Sequence, residues 1–302
     1  MTGDSAAGRA VSAPVLVAVD DSEVALRAVA WAAAEAALHR CPLHILTSFG
    51  VAPRPGLNTV LAENERAWLR GDGMRLLARA VAAARRAVPD TDVAVTTELT
   101  FDLITPTLID RSAQVRMIVV GNHGRGAIGR AVLGSVSTAV SRHARCPVAV
   151  VHLSPPDPVS AEGPVLVGVD GTLDSAPALA VAFDEASRRK VGLVALHAWS
   201  GGSESDAPVV SWDDVRSAES AALTETVAGW RERYPDVDVE PVVVCDSPVR
   251  SLLERSARAQ LLVVGSRGRG GFAGMVLGST STALLHVAEC TVIVARGQER
   301  TR

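Results

Sequence analysis

Two loops combine glycines, a hydroxyl and a nearby acid in a spacing that suits phosphate binding. The first reads VVGNHGRGAIGRAVLGSV from Val119 to Val136, and the second VVGSRGRGGFAGMVLGST from Val263 to Thr280. In each, an apolar run delivers the chain to a glycine (Gly121, Gly265). A second glycine follows after two residues (Gly124, Gly268), and nine residues later comes Gly134-Ser135 or Gly278-Ser279. Glycines permit close backbone approach to a ligand. A Gly-Ser pair opening a helix presents N–H groups and a hydroxyl at the positive end of the helix dipole, where an anion is favoured. Arg125 and Arg269 either add charge to such a cradle or are simply solvated. Asp20 and Asp170 each close an apolar run, VLVAV or VLVGV. An acid there could hydrogen-bond a ribose or orient a metal carried by phosphates; the plainer alternative is a turn in which it accepts backbone N–H bonds.

The elements that must position these residues are also written twice. PVLVAVDDS (Pro14 to Ser22) returns as PVLVGVDGT (Pro164 to Thr172), while Asp102 returns as Asp246 and Cys146 as Cys290. A repeat of that length is a duplicated domain rather than a solenoid unit. The expected units are residues 1–153 and 165–296, joined by a Pro-rich linker at 154–164 and followed by a tail at 297–302. Within each, short apolar runs alternate with longer helical stretches. VLVAV, LHILT, VAVTTEL, MIVVG and PVAVV are the five predicted strands of the first copy. VLVGV, VGLVALHAW, VDVEPVVV, LLVVG and CTVIVA are those of the second. Continuous apolar strands imply burial on both faces, hence two tandem doubly wound α/β domains, each a five-stranded parallel sheet flanked by helices. Helices are expected to open at Ser22 and Thr172. The last strands, CPVAVV and CTVIVA, lack a charged gatekeeper and would be sticky as free edges. They are therefore expected to pair with each other, docking the halves within one chain; a homodimer is a further option.

Composition narrows the function. The 302 residues carry a formal charge of −3, which argues against nucleic acid, and Lys190 is the only lysine, which rules out a Walker A loop. GRGAIG (Gly124 to Gly129) fits the dinucleotide pattern but follows the fourth strand, and no ribose-gripping acid ends the next one. Four separated cysteines make no zinc pattern and read as buried, reduced thiols. The N-terminus lacks a signal-peptide core and no run is long enough to span a membrane, so a soluble, cytoplasmic protein is expected.

The Gly-2x-Gly-9x-Gly-Ser spacing after VVG, together with VLVxVDxS at each domain start, resembles the universal stress protein family over nearly the whole chain. The resemblance implies an adenine nucleotide alpha hydrolase-like fold, ATP binding (with Mg²⁺ as its companion ion), and pairing through the last strand. By position, Asp20 and Asp170 would lie near the nucleoside, and Ser48 and Ala198 would meet adenine through backbone. Gly121, Gly124, Gly134 and Ser135, with Gly265, Gly268, Gly278 and Ser279, would hold phosphates. The first copy departs where Asp21 replaces Gly171 and Ala127 replaces Gly271. A second carboxylate could repel phosphates unless a cation bridges it, so the C-terminal site is expected to bind more tightly.

No repeated His, Glu or Asp constellation beyond Asp20 and Asp170 offers a base for hydrolysis, and the histidines do not recur in register. The preferred reading is an ATP-binding regulatory or sensor module with little or no turnover, acting on an unidentified protein partner. The alternatives are a weak divalent-dependent ATPase and an interaction protein whose loops bind nothing. The metal question stays open.

Overall fold

The computed structural model describes residues 12–50, 63–124, 133–152, 162–199, 212–268 and 277–296. The first half runs β1 (Val15–Ala18), α1 (Glu23–Leu38), β2 (Leu43–Ser48), α2 (Glu63–Ala87), β3 (Val95–Thr100), α3 (Ile104–Arg111), β4 (Met117–Gly121), α4 (Ser135–His143) and β5 (Val148–Val151). The second runs β6 (Val165–Val169), α5 (Ala176–Arg189), β7 (Leu193–Trp199), α6 (Trp212–Arg233), β8 (Val239–Cys245), α7 (Pro248–Ser256), β9 (Leu261–Gly265), α8 (Ser279–Val287) and β10 (Thr291–Ala295). Every predicted strand is present, with ends that differ from the expected ones by at most two residues.

The strands form one ten-stranded sheet in the order β3-β2-β1-β4-β5-β10-β9-β6-β7-β8. Each half is parallel, with β1 between β2 and β4, and β6 between β7 and β9. The halves meet where β5 and β10 pair antiparallel, with Val148 opposite Val294 and Val150 opposite Val292. Both strands are wholly buried there, so the two bare edges protect each other.

Alternate residues of β1 enter different cores, as a sheet covered on both faces requires. Val15 and Val17 join Ala28, Ala32 and Leu77 from α1 and α2, whereas Leu16 packs with Leu108 and Val140 from α3 and α4. Helix α1 presents Ala25, Ala28, Val29, Ala32, Ala33 and Ala36 as one buried stripe at helical spacing. Small residues there bring the helix axis close to the sheet. The second half adds bulk through Phe183, which stacks on Trp230 with ring centroids 5.8 Å apart.

The two helix starts differ. Ser22 caps α1 by accepting from the Ala25 N–H, as its position predicts. Thr172 does not cap α5. A 3-10 turn over Leu173–Ser175 intervenes, and the helix begins at Ala176. Gly171 has φ 76°, a left-handed conformation open to glycine, and Asp21 at the matching place does not share it. The left-handed Gly171, the Ser175 hydroxyl bound to Asp170 and the proline in the first turn of α5 together accompany its later start.

Candidate functional site

Parallel topology brings the carboxyl ends of β1 and β4, and the start of α4, to one rim of the sheet; β6, β9 and α8 do the same in the second half. Ligands of open α/β sheets bind at this rim. The structure gathers Asp20, Gly121, Gly124, Gly134 and Ser135 there, and Asp170, Gly265, Gly268, Gly278 and Ser279 at its counterpart.

Each aspartate divides its carboxylate between two tasks. Asp20 Oδ1 accepts from the Ser22 N–H (3.1 Å) and from its hydroxyl (2.5 Å). Asp170 Oδ1 accepts from the Thr172 N–H (2.9 Å), the Thr172 hydroxyl (2.8 Å) and the Ser175 hydroxyl (2.5 Å). The turn role is thus real, and it leaves the other oxygen aimed at the glycine loop. A Cβ on Gly124 would lie 2.5 Å from Asp20 Oδ2, and one on Gly268 3.3 Å from Asp170 Oδ2. Gly124 is thus required by the acid that faces it, whereas at Gly268 the facing acid would have to give by only a few tenths of an ångström. At Gly121 a Cβ would meet Val24 Cγ1 at 2.9 Å, so this glycine lets α1 seat against the end of β4.

The helix starts are built alike. Gly134 and Gly278 are extended N-cap residues with ψ 154° and 153°, and neither cap supplies a side-chain hydrogen bond to the first turn. Gly134 N–H donates to Asn122 O (2.7 Å) and Gly278 N–H to Ser266 O (2.8 Å), which fixes each loop end against its strand. The exposed Ser135 and Ser279 follow as the first helical residues. Two residues on, the Ser137 and Ser281 hydroxyls donate to Gly121 O and Gly265 O, both at 2.6 Å. These braces were missed in the sequence, although the repeated GSxSTA contained them.

The halves also touch each other's loops. Leu133 N–H, just before Gly134, donates to Nδ1 of His286 on α8 of the other half (3.3 Å). The His152 Nε2–H donates to Leu285 O (3.0 Å), and burial pushes the His152 pKa below the usual histidine value. Arg296 Nη2–H donates to Ser141 O in the same crossing.

At the neighbouring strand ends, the Ser48 hydroxyl donates to Asp102 O (2.5 Å) and accepts from the Gly50 N–H (3.0 Å). Ala198 is half-buried near the end of β7. Beside it Trp199, Asp213, Arg216, Val243, Val244 and Cys245 line a cavity of about 360 Å³. Thr47 Oγ1–H donates to Val19 O (2.8 Å), and His197 Nδ1–H plays the same part toward Val169 O (2.7 Å). His197 is therefore a strand brace, turned on its other side toward Glu219 Oε2 at 3.2 Å.

Two expectations change. Asp21 does not stand as an uncompensated charge: its carboxylate pairs with Arg79 of α2, which blunts the repulsion that ranked the N-terminal site lower. The cysteines are not uniformly buried, since Cys245 is exposed at the end of an edge strand. Arg125, Arg269, Ala127, Gly271 and the 200–208 segment lie outside the described residues.

This doubled arrangement matches a known family model, the universal stress protein family, over residues 13–152 and again over 163–296. The chain belongs to the universal stress protein family. A universal stress protein of Mycobacterium tuberculosis is 46% identical over 288 residues, covering 93% of this chain and 96% of the relative. Another from Mycolicibacterium smegmatis is 41% identical over 297 residues, with the same coverages. Among solved structures, a universal stress protein from Archaeoglobus fulgidus superposes with a TM-score of 0.69 at 19% identity, over 94% of this chain and 98% of that one. That likeness shows the tandem universal stress protein fold. No helix among the described residues is long and apolar enough to cross a membrane.

Proposed function

We propose that each half of this universal stress protein holds the phosphates of one ATP, and that occupancy makes the chain a nucleotide-dependent regulatory or sensor module in the stress response. One observation carries the reading: the constellation of an aspartate anchored through one oxygen, a glycine loop facing the other, and an uncapped helix start occurs twice at the ligand-binding rim. The backbone N–H groups of Ser135 and Ser279 and their first turns would receive phosphate oxygens. Asp20 Oδ2 and Asp170 Oδ2 would accept from ribose hydroxyls, and Ser48 and Ala198 would border the adenine. Magnesium would accompany the phosphates. Arg125 and Arg269 are the residues from which added positive charge would come. The aspartates, each fixed through one oxygen, and His197, spent as a strand brace, are placed to hold rather than to activate water, which supports slow or no turnover.

Calorimetric titration of nucleotide-free protein with ATP and Mg²⁺, beside ADP, AMP and NAD, tests this. Saturable ATP binding at up to two sites per chain is expected, with little phosphate release. Absence of an ATP signal at millimolar ligand would overturn it in favour of an interaction protein. Rapid divalent-dependent hydrolysis would favour the enzyme reading.

A further inference from the structure

Away from the ligand rim, four ionisable side chains from the two halves converge in the interior. His39, at the end of α1, places Nε2 2.9 Å from Glu35 Oε1 of its own helix and 2.9 Å from Glu185 Oε1 of α5. Arg189 of α5 holds the outer oxygens, with Nη2 2.6 Å from Glu35 Oε2 and Nε 3.1 Å from Glu185 Oε2. The side chains of His39, Glu35 and Glu185 are only 1–2% exposed, and the Arg189 guanidinium lies over the Trp31 ring at 5.8 Å. At the rim of this cluster Asp184 receives Arg188 and Arg116, both at 2.9 Å, and lies 3.7 Å from His39 Nδ1. Cys41, Tyr234 and the amide of Gln260 complete the polar surroundings.

The buried set is short of positive charge. Two carboxylate oxygens face His39 Nε2, so this nitrogen carries its hydrogen, and in a neutral ring that is one donor shared between both acids. Two carboxylates against one guanidinium also leave one negative charge in a dry site, which is costly. A divalent ion at the same three atoms would share the space with Arg189, and with Arg116 and Arg188 close behind. A proton is the cation that these charges admit.

We propose that a proton shared among Glu35, His39 and Glu185 latches α1 of the first half to α5 of the second, and that the latch loosens when this proton leaves. Helix α1 starts three residues after Asp20 and α5 six residues after Asp170, so the latch ties the far ends of the helices that open at the two candidate sites.

The direction of the pH effect follows. Burial first, then the charge of Glu185, pushes the Glu35 carboxyl up to about 7. Burial opposes a charged His39, yet its hydrogen bonds to Glu185 and Glu35 hold its pKa above the usual histidine value. Glu185 is the partner that stays ionised: burial works against it, but His39 and Arg189 draw its pKa down. A group whose folded pKa is raised contributes stability that is complete below its unfolded value and is lost as pH rises through the folded one. For Glu35 the loss therefore runs from its ordinary value of 4.5 up to about pH 7, where it is complete, and for His39 it begins at the ordinary histidine value and continues above it.

Thermal and denaturant unfolding of the full chain from pH 5.5 to 9 tests this against Glu35→Gln. The amide supplies a donor and leaves Glu185 balanced by Arg189, so no shared proton is needed. The wild type is expected to lose stability from pH 5.5 to about 7 through Glu35, and further above that through His39, by up to about tenfold in the unfolding constant per pH unit per proton. The variant should show no fall from position 35 between pH 5.5 and 7, keeping only the part that His39 owes to Glu185. An identical slope in both proteins overturns the proposal. So does stabilisation by Zn²⁺ or Mn²⁺ that His39→Gln abolishes, which would make the cluster a metal site. Should Glu35→Gln fail to fold, hydrogen exchange in the wild type decides. Protection that falls as pH rises from 5.5 through 7 at residues 35–41 and 185–191, with α3 and α7 unchanged, supports the latch, and uniform loss refutes it.

Discussion

Adding one methyl group at Gly124 separates a ligand-facing acid from a merely structural one. The new Cβ of Gly124→Ala would stand 2.5 Å from Asp20 Oδ2, well inside van der Waals contact. Asp20 cannot swing aside freely, because its other oxygen is tied to both the N–H and the hydroxyl of Ser22. Either the carboxylate or the loop must shift. The matching change, Gly268→Ala, meets Asp170 Oδ2 at 3.3 Å and needs only a few tenths of an ångström. If Asp20 accepts a hydrogen bond from the nucleotide, its displacement costs about 1.5–3 kcal/mol, the range for a bond to a charged group. That is roughly 10- to 150-fold in Kd at the N-terminal site. Gly268→Ala is expected to change the C-terminal site by no more than about threefold, about 0.6 kcal/mol. Titration of ATP and Mg²⁺ into the two single variants and their double separates the sites, with thermal melts confirming that each is folded. Equal losses, or a larger loss for Gly268→Ala, would refute the reasoning from Asp20.

Three further outcomes follow from particular contacts. Arg79→Ala removes the partner of Asp21 and is expected to weaken ATP at the N-terminal site alone, with Asp21→Gly restoring it; unchanged titrations would show that Asp21 does not face phosphate. His286→Ala removes the acceptor for the Leu133 N–H and is expected to weaken that same site about two- to tenfold, the worth of one ordinary hydrogen bond. An effect at the C-terminal site instead would refute this. In thiol labelling of the native protein, exposed Cys245 is expected to react promptly. Burial pushes Cys146 and Cys290 up to about 12 and also raises Cys41, so Cys41 and Cys146 react only on unfolding and the half-buried Cys290 reacts slowly. Prompt release of more than one thiol would contradict the packing.

Pattern alone carried much of the structure. The order of strands, the duplicated loops and the exposed last edges are local or periodic signals, and each half repeats them. The apolar runs with no gatekeeper in CPVAVV and CTVIVA implied a partner strand, and β5 meets β10. Gly171 was visible as a departure from Asp21, but its left-handed φ and the 3-10 turn it permits were not. Thr172 looks like a helix cap in sequence. Its hydroxyl donates to Asp170 and accepts from the Asp174 N–H (3.2 Å), so it caps the 3-10 turn rather than the helix, which is decided only when the turn closes.

By itself, the sequence determined that the chain is a doubled α/β protein of the universal stress protein family with two glycine loops at strand ends. Burial periodicity and backbone-permissive glycines are properties of neighbouring residues, so they can be read in a line. What only the tertiary structure decided are pairings between distant positions. Arg79 reaches Asp21 from another helix. His286 holds the opposite half's loop. Glu35, His39, Glu185 and Arg189 close into one buried set. Such pairings depend on where docked helices place their faces, and the Coulomb and desolvation energies that govern them act through space rather than along the chain.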